Sequence, residues 1–83
     1  MKPEQIKALR HRFGYTQAAF SEVLGLAELS ISQYETGYRK PGPTLLILFR
    51  VLDSLPDKKA LWILKQFESH SISSEQNNKG AGK

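Results

Sequence analysis

The chain has 83 residues, a formal net charge of +4, no cysteine and a pI of about 9.6. This length supports one compact domain, and the lack of cysteine excludes disulfides and thiolate metal sites and fits a reducing compartment. A chain this basic suits a polyanionic partner, most simply nucleic acid.

Neither a membrane span nor a β-sheet is expected. No apolar run approaches the roughly 18 residues that cross a bilayer, and the start MKPEQIKALRHR lacks the apolar core of a signal peptide. We therefore expect a soluble, cytoplasmic protein that does not associate with membranes. Apolar positions recur at helical spacing and no segment alternates like a strand, which predicts an all-α fold.

Two helices are predicted in the first third of the chain. Pro3 suits the first turn of helix one, and Gly14 ends it. Its buried stripe consists of Ile6, Leu9 and Phe13. Thr16 can cap helix two, and Gly25 ends that helix in a left-handed conformation. The buried stripe of helix two consists of Phe20, Val23 and Leu24. The connection to the next helix is short enough for a helix-turn-helix unit.

Helix three is predicted over residues 27–36, closed by Gly37, with a small and polar outward face. At 100° per residue the inner side carries Ala27, Ile31 and Tyr34. The outer side carries Leu29, Gln33 and Thr36, flanked by Ser30 and Ser32. Small side chains allow a helix to approach DNA closely in the major groove, and polar ones reach the base edges.

Three residues of this helix suit particular bases. Gln33 can form two hydrogen bonds to one adenine, and Leu29 can lie against a thymine methyl group. Glu28 can accept a hydrogen bond from cytosine N4, so a carboxylate at the helix start is compatible with base reading although it repels phosphates.

Two further helices follow the prolines of YRKPGP. Helix four covers TLLILFRVLDSL, and seven of the eight residues 45–52 are apolar, so more than one of its faces must be covered. Helix five starts at Pro56 and Asp57 and runs to about Ser69. Its additional apolar surface consists of Trp62, Ile63 and Phe67. We expect a homodimer through helices four and five; the alternative is that helix five covers helix four within one chain.

The run TQAAFSEVLGLAELSISQYETG, residues 16–37, resembles the helix-turn-helix of the lambda-repressor-like, or Xre, family. The resemblance extends to Phe13-Gly14 and to Arg39-Lys40-Pro41 and covers about half of the chain. It implies a five-helix DNA-binding domain, here residues 2–69, with the helix-turn-helix at helices two and three. It also implies a sequence-specific transcriptional regulator of double-stranded DNA, a repressor that acts as a homodimer on a palindromic operator.

The resemblance also implies roles for single residues. Gln17 would form a hydrogen bond to a phosphate and brace helix three, the recognition helix that reads the bases. Arg10 would pair with Glu35. The residues that would face the bases are Ala27, Glu28, Leu29 and Gln33, with Ser32 beside them. Those that would hold the DNA backbone are Thr36, Arg39 and Lys40.

The recognition helix departs from the family pattern in two respects. Ala27 stands where the family often has Ser, Thr or Asn, so the helix lacks a side-chain cap, which costs roughly 1 kcal/mol. The helix also has no basic residue. We therefore expect the attraction to phosphates to come from its surroundings, mainly from Arg39 and Lys40 and from the first amides of helices two and four.

Two other functions stay open. The segment GYRKPGPTLLILFRVLDSLPD more weakly resembles the segment after the helix-turn-helix in HigA-like antitoxins, which implies a toxin partner and autoregulation. A helical adaptor that has lost DNA binding is the third possibility, because helix three starts with an acidic, uncapped turn.

The sequence offers no catalytic or metal-binding pattern. Neither His11 nor His70 has a His, Asp or Glu three or four residues later. The carboxylates are scattered, and there is no glycine loop that could cradle a phosphate. We therefore expect a protein that is not an enzyme and needs no cofactor. The tail, residues 70–83, is polar and is predicted to be flexible.

Overall fold

The computed structural model describes residues 1–70 and has five helices and no strand within that range. α1 spans Pro3–Arg12, α2 Gln17–Val23, α3 Ser30–Thr36, α4 Pro43–Ser54 and α5 Asp57–Ser69. The prediction of an all-α, five-helix fold is confirmed. All but the first residue of the predicted 70–83 tail lies outside the described residues, so the tail and the 2–69 domain boundary remain predictions.

The helix ends follow from local chemistry. The Thr16 hydroxyl accepts a hydrogen bond from the backbone N–H of Ala19 at 3.1 Å and so caps α2, as predicted. Gly25 and Gly37 follow α2 and α3 with φ of 71° and 81°, in the left-handed region that residues with a Cβ rarely adopt. Pro43 occupies the first turn of α4, where its missing N–H leaves no helical bond unmade.

One core joins the five helices. Phe20 lies fully buried near its centre, and its ring stacks on Tyr15 at 5.5 Å and on Phe49 at 6.1 Å between centroids. The core consists of Ile6, Leu9, Phe20, Val23, Ile31, Tyr34, Phe49, Leu52, Ala60 and Leu64. Each large apolar side chain buried in this way stabilises the fold by about 1.5 to 3 kcal/mol.

The predicted start of helix three is wrong. α3 begins at Ser30, three residues after the predicted start, and Ala27 is exposed in the preceding turn rather than buried. Ser30 is buried, not on an outward flank. The N–H of Ser30 donates to the carbonyl of Ala27 at 3.0 Å, which closes a tight turn before the first helical turn. Periodicity does not separate such a turn from a helix, because both bring residues three apart together.

α5 is attached to the body of the domain at both ends. The Arg12 guanidinium donates from Nε to the Asp57 carboxylate at 2.6 Å and from Nη2 to the carbonyl of Leu55 at 2.6 Å. The Tyr15 hydroxyl donates to the Glu68 carboxylate at 2.6 Å. α1 and the turn after it therefore hold the first and last turns of α5.

The outer faces of α4 and α5 stay apolar and exposed. Ile47 is 59% exposed and Trp62 is 65% exposed, and Val51 and Phe67 are exposed as well. The alternative in which α5 covers α4 completely is therefore wrong for the described residues. Within residues 1–70, no helix combines the length and the apolar character needed to cross a membrane.

Candidate nucleic-acid interface

The start of α3 is held by a side chain of α2. Ser21 is fully buried, and its hydroxyl accepts a hydrogen bond from the N–H of Ile31 at 3.4 Å and donates one to the carbonyl of Glu28 at 3.2 Å. One of the first N–H groups of α3, which have no partner inside the helix, thereby receives an acceptor. The N-cap residue of α3, Leu29, forms no side-chain cap, as expected for this helix, and Ser21 of the neighbouring helix supplies an acceptor instead.

The end of α3 is held by a buried ion pair. Arg10 of α1 donates from Nε to Glu35 Oε2 at 2.6 Å and from Nη2 to Glu35 Oε1 at 3.1 Å. Its Nη1 donates to the carbonyl of Tyr15 at 2.8 Å. The two charged side chains are 9% and 3% exposed. The predicted pairing is confirmed, but the pair is not the exposed type that contributes little; two parallel hydrogen bonds fix the orientation of α3.

Gln17 completes this arrangement from the first turn of α2. Its Nε2 donates to Glu35 Oε1 at 3.0 Å. The structure thus gives the side chain the bracing contact that the resemblance implied, on a residue that is otherwise exposed. The phosphate contact of Gln17 stays a prediction.

The environment of Glu35 keeps its carboxylate charged. Burial alone would raise its pKa. The hydrogen bonds from Arg10 and Gln17, together with the positive charges of Arg10 and Lys7, outweigh burial and hold the pKa of Glu35 below its ordinary value of 4.5. The brace between α1, α2 and α3 is therefore ionic at neutral pH.

The residues predicted to face the bases lie around the start of α3 and along its outer side. Ala27, Glu28 and Leu29 are exposed in the turn that precedes the helix, and Leu29 is 66% exposed. Ser32 and Gln33 are half-buried on the helix itself. Leu29 is therefore not covered by any other described part of the chain, and an exposed leucine beside polar side chains offers an apolar contact to a partner.

Gln33 is linked to the loop that follows α3. Arg39 donates from its backbone N–H to the carbonyl of Gln33 at 3.2 Å and from Nη1 to Gln33 Oε1 at 3.3 Å. The Thr36 hydroxyl donates to the same carbonyl at 3.2 Å. Because Arg39 donates to the amide oxygen, the Nε2 group is the end of the Gln33 side chain that stays available as a donor.

The cations expected to hold phosphates lie beside α3 and not on it. Arg39 and Lys40 are both exposed in the loop before α4, and the N-cap residue of α4, Gly42, provides no side-chain cap to its first amides. Within residues 1–70, no group of three or more His, Asp or Glu side chains could hold a metal ion.

Two short helices joined by a tight turn, with the second held by the first and carrying a partly exposed polar face, define a helix-turn-helix DNA-binding protein. The family model described as "Helix-turn-helix" matches residues 6–51, more than half of the chain, and the chain belongs to that family of DNA-binding regulators. The antitoxin MqsA of Escherichia coli (strain K12) is 38% identical over 55 residues, which are 66% of this chain and 42% of that relative. The predicted Xre-like resemblance, with its antitoxin component, is confirmed.

The chain thus spans less than half the length of this curated relative. No solved structure matches the chain.

Sequence reasoning missed Ser21 as a residue of the interface. It lies three residues before Leu24, on the inward side of α2, where a serine among Phe20, Val23 and Leu24 interrupts an apolar stripe. A small polar residue on a buried face needs a hydrogen-bond partner, and the nearest available partners are the free amides of the helix that follows. That interruption was the indication that could have identified it.

Proposed function

We propose that this protein is a sequence-specific repressor that inserts the turn at residues 27–29 and the outer side of α3 into the major groove of double-stranded DNA. The observation that carries the proposal is the placement of α3: Ser21 holds its start and Glu35 its end, while Leu29 and Gln33 are left outward. A reading helix needs this rigidity, because base discrimination depends on hydrogen bonds of fixed length and direction.

Different residues contact the bases and the phosphates in this proposal. Glu28, Leu29 and Gln33 offer an acceptor, an apolar contact and an amide to the base edges, and they carry no positive charge. Arg39 and Lys40 supply the attraction to the phosphates from the adjacent loop, joined by Gln17 and Thr36. Neutral and acidic side chains at the bases limit non-specific binding, which is mostly electrostatic.

Selection from a pool of random duplexes tests this function. The protein is bound to the pool at moderate salt, and the retained duplexes are sequenced over successive rounds. We expect enrichment of one sequence composed of two inverted half-sites. Retention of duplexes without any enriched sequence would leave only non-specific binding, and retention of none would support the adaptor that has lost DNA binding.

The repressor is proposed to act as a homodimer held by α4 and α5. Ile47 and Val51 on α4 and Trp62 and Phe67 on α5 leave apolar surface exposed that water disfavours. A twofold pair would present two α3 helices about 34 Å apart, one turn of DNA, and would match a palindromic operator. One α3 of seven residues has too few base contacts to select a site alone.

Sedimentation at micromolar concentration tests the dimer. We expect about twice the 9.4 kDa mass of the chain, and Trp62→Ala should dissociate the dimer and weaken binding to the two-half-site operator without unfolding the protein. Tyr38→Ala is the control for this experiment and should stay dimeric. It also removes an exposed aromatic side chain, which is 79% exposed, but in the loop after α3 and outside the proposed interface. A stable monomer whose mass and DNA affinity are indifferent to Trp62→Ala would exclude this interface.

A second candidate is the DNA-binding part of an antitoxin that also binds a toxin and represses its own operon. The identity to a relative named as an antitoxin supports it, and the same exposed surface of α4 and α5 could receive the toxin. The test is to express the neighbouring reading frame alone and together with this chain. Growth arrest that the chain relieves supports the antitoxin; a harmless neighbour supports the isolated repressor.

A further inference from the structure

A cavity of about 350 Å³ opens beside the end of α3. It lies between the start of α1, the last turn of α3, the loop that follows and the first turns of α4. Its apolar wall includes Pro3, Ile6, Tyr34 and Leu46, and Arg39 and Lys40 also line it. The volume falls within the range of small-molecule pockets, about 300 to 1,000 Å³.

The charged side chains that line this cavity are both cationic. None of the residues that line it is acidic, whereas two adjacent residues are cationic. An apolar wall beside a guanidinium and an ammonium group fits a ligand with an apolar body and one anionic end. A carboxylate suits the forked guanidinium better than a neutral hydroxyl does, because its two oxygens accept two parallel hydrogen bonds.

Arg39 connects this cavity to Gln33, on the side of α3 that is proposed to contact the bases. It lines the cavity, and its Nη1 donates to Gln33 Oε1 at 3.3 Å, a long hydrogen bond between exposed groups. A bond of this length and exposure holds the guanidinium weakly. The side chain can therefore turn toward a stronger partner on either side.

We propose that the cavity binds a small amphipathic carboxylate and that the bound ligand lowers the affinity for DNA. The carboxylate draws Arg39 and Lys40 inward, so that neither can neutralise a phosphate, and Gln33 loses the donor that orients its amide. The regulatory part rests on the proposed function, and the binding part does not. By thermodynamic linkage, DNA lowers the affinity for the carboxylate by the same factor.

The binding part is tested on the free protein with octanoate as the probe. In ¹H–¹⁵N spectra we expect saturable shifts of the amides of Gly37, Arg39 and Leu46. 1-Octanol, which keeps the apolar body and lacks the charge, should bind about tenfold more weakly. Acetate, which keeps the charge and lacks the apolar body, should show no saturation at the same concentrations.

A second apolar depression also has two lysines, so the location of binding matters. Leu55, Ile63 and Trp62 line it together with Lys58 and Lys59. Shifts confined to the Trp62 indole N–H would place octanoate there and overturn the proposal, as would the absence of saturable shifts anywhere in the chain.

A pair of neighbouring substitutions separates the cavity from the rest of α4. Leu46 lines the cavity and is not one of the buried core residues, so Leu46→Gln should weaken octanoate binding about tenfold without unfolding the domain. Thr44→Gln is the control, because Thr44 is exposed on the same helix, lies outside the proposed dimer surface and does not line the cavity. Equal octanoate affinity in both variants and the native protein would overturn the proposal.

The regulatory part is tested on the duplex selected above. Octanoate at saturation should weaken binding at least about fivefold relative to acetate at equal ionic strength, which controls for salt screening. Octanoate that fills the cavity and leaves the DNA affinity unchanged would overturn this part. If the selection yields no preferred duplex, the proposed function fails, while the titration still decides whether the cavity binds the carboxylate.

Discussion

The hydroxyl of Ser21 in α2 accepts a hydrogen bond from the N–H of Ile31 in α3 at 3.4 Å. The same hydroxyl donates to the carbonyl of Glu28, in the turn between the two helices. One buried oxygen therefore fixes both the turn and the first helical turn of α3. The acidic start that lacks a cap in the sequence is capped across the helix pair, which keeps its own side chains free to face outward.

Ser21→Ala should destabilise the domain by about 1 to 2 kcal/mol, because a buried N–H loses its acceptor. Urea denaturation measures the loss, and hydrogen exchange of the Ile31 amide should accelerate. Ser54→Ala is the matched control: its hydroxyl is exposed and donates only to the carbonyl of Val51. A similar loss in both variants, with Ile31 exchange unchanged, would contradict the capping role.

The Arg10–Glu35 pair should behave as a coupled unit. Arg10→Met or Glu35→Gln alone leaves a nearly buried group without its charged partner, and we expect each to destabilise the domain by about 2 to 4 kcal/mol. The double variant should be less destabilised than the sum by about 1 to 3 kcal/mol. Denaturant titrations of all four proteins complete the cycle. Strict additivity would mean that the contact contributes nothing beyond the separate side chains.

The same carboxylate predicts how stability depends on pH. Its pKa is lowered in the folded state, so between the folded and unfolded pKa values the unfolded chain binds more protons. The contribution of Glu35 is therefore complete above its ordinary pKa of 4.5 and is lost as the pH falls through the lower, folded pKa.

Urea denaturation from pH 7 down to pH 3 should accordingly show a loss of stability below about pH 4.5 that is smaller in Glu35→Gln. Glu22→Gln removes an exposed carboxylate at the same change in net charge and serves as the control. If Glu35→Gln and the native protein lose stability in parallel, another carboxylate dominates the acid response.

Much of this fold is predictable from the sequence because its helix boundaries are local. Thr16 caps α2 with its own hydroxyl, Gly25 and Gly37 take the left-handed conformations after α2 and α3, and Pro43 opens α4. Each of these effects acts within one or two turns of the chain. The type and order of the helices could therefore be predicted without any tertiary information.

The errors concern contacts between distant residues. The start of α3 depends on Ser21, ten residues before Ile31, and Ser30, which periodicity placed on an outward flank, is buried. Periodicity assigns side chains to faces, but it does not say which face another helix covers. The predicted interface residues nevertheless lie at the start of α2, at the turn, on α3 and in the loop after it, because the resemblance transfers positions in register.

Attraction to the DNA backbone should depend on the loop after α3. Replacing both Arg39 and Lys40 by Ala should weaken binding to all duplexes alike and lower the slope of log affinity against log salt by about 2. Lys58→Ala with Lys59→Ala removes an adjacent cation pair at the start of α5 and is the matched control. An equal change in slope for the two pairs would mean that only net charge matters, and not position.

Base reading should depend on Gln33. Arg39 donates to its Oε1 at 3.3 Å, so Nε2 stays available as a donor, and Oε1 keeps a second lone pair for the N6 donor of an adenine. Gln33→Ala should therefore reduce the free energy of binding to the selected duplex by about 1 to 3 kcal/mol and reduce binding to random DNA much less.

Gln17→Ala is the control for this reading, since it removes the same amide from the first turn of α2, where Gln17 braces Glu35 and is predicted to bond a phosphate. Thermal unfolding first checks that this variant remains folded. Gln17→Ala should then weaken binding to the selected duplex and to random DNA by the same factor. Affinities measured by fluorescence anisotropy at one salt concentration decide between the two roles. If Gln33→Ala also weakens binding to both duplexes equally, Gln33 positions the protein on the DNA backbone, and the sequence specificity lies in the turn around Leu29.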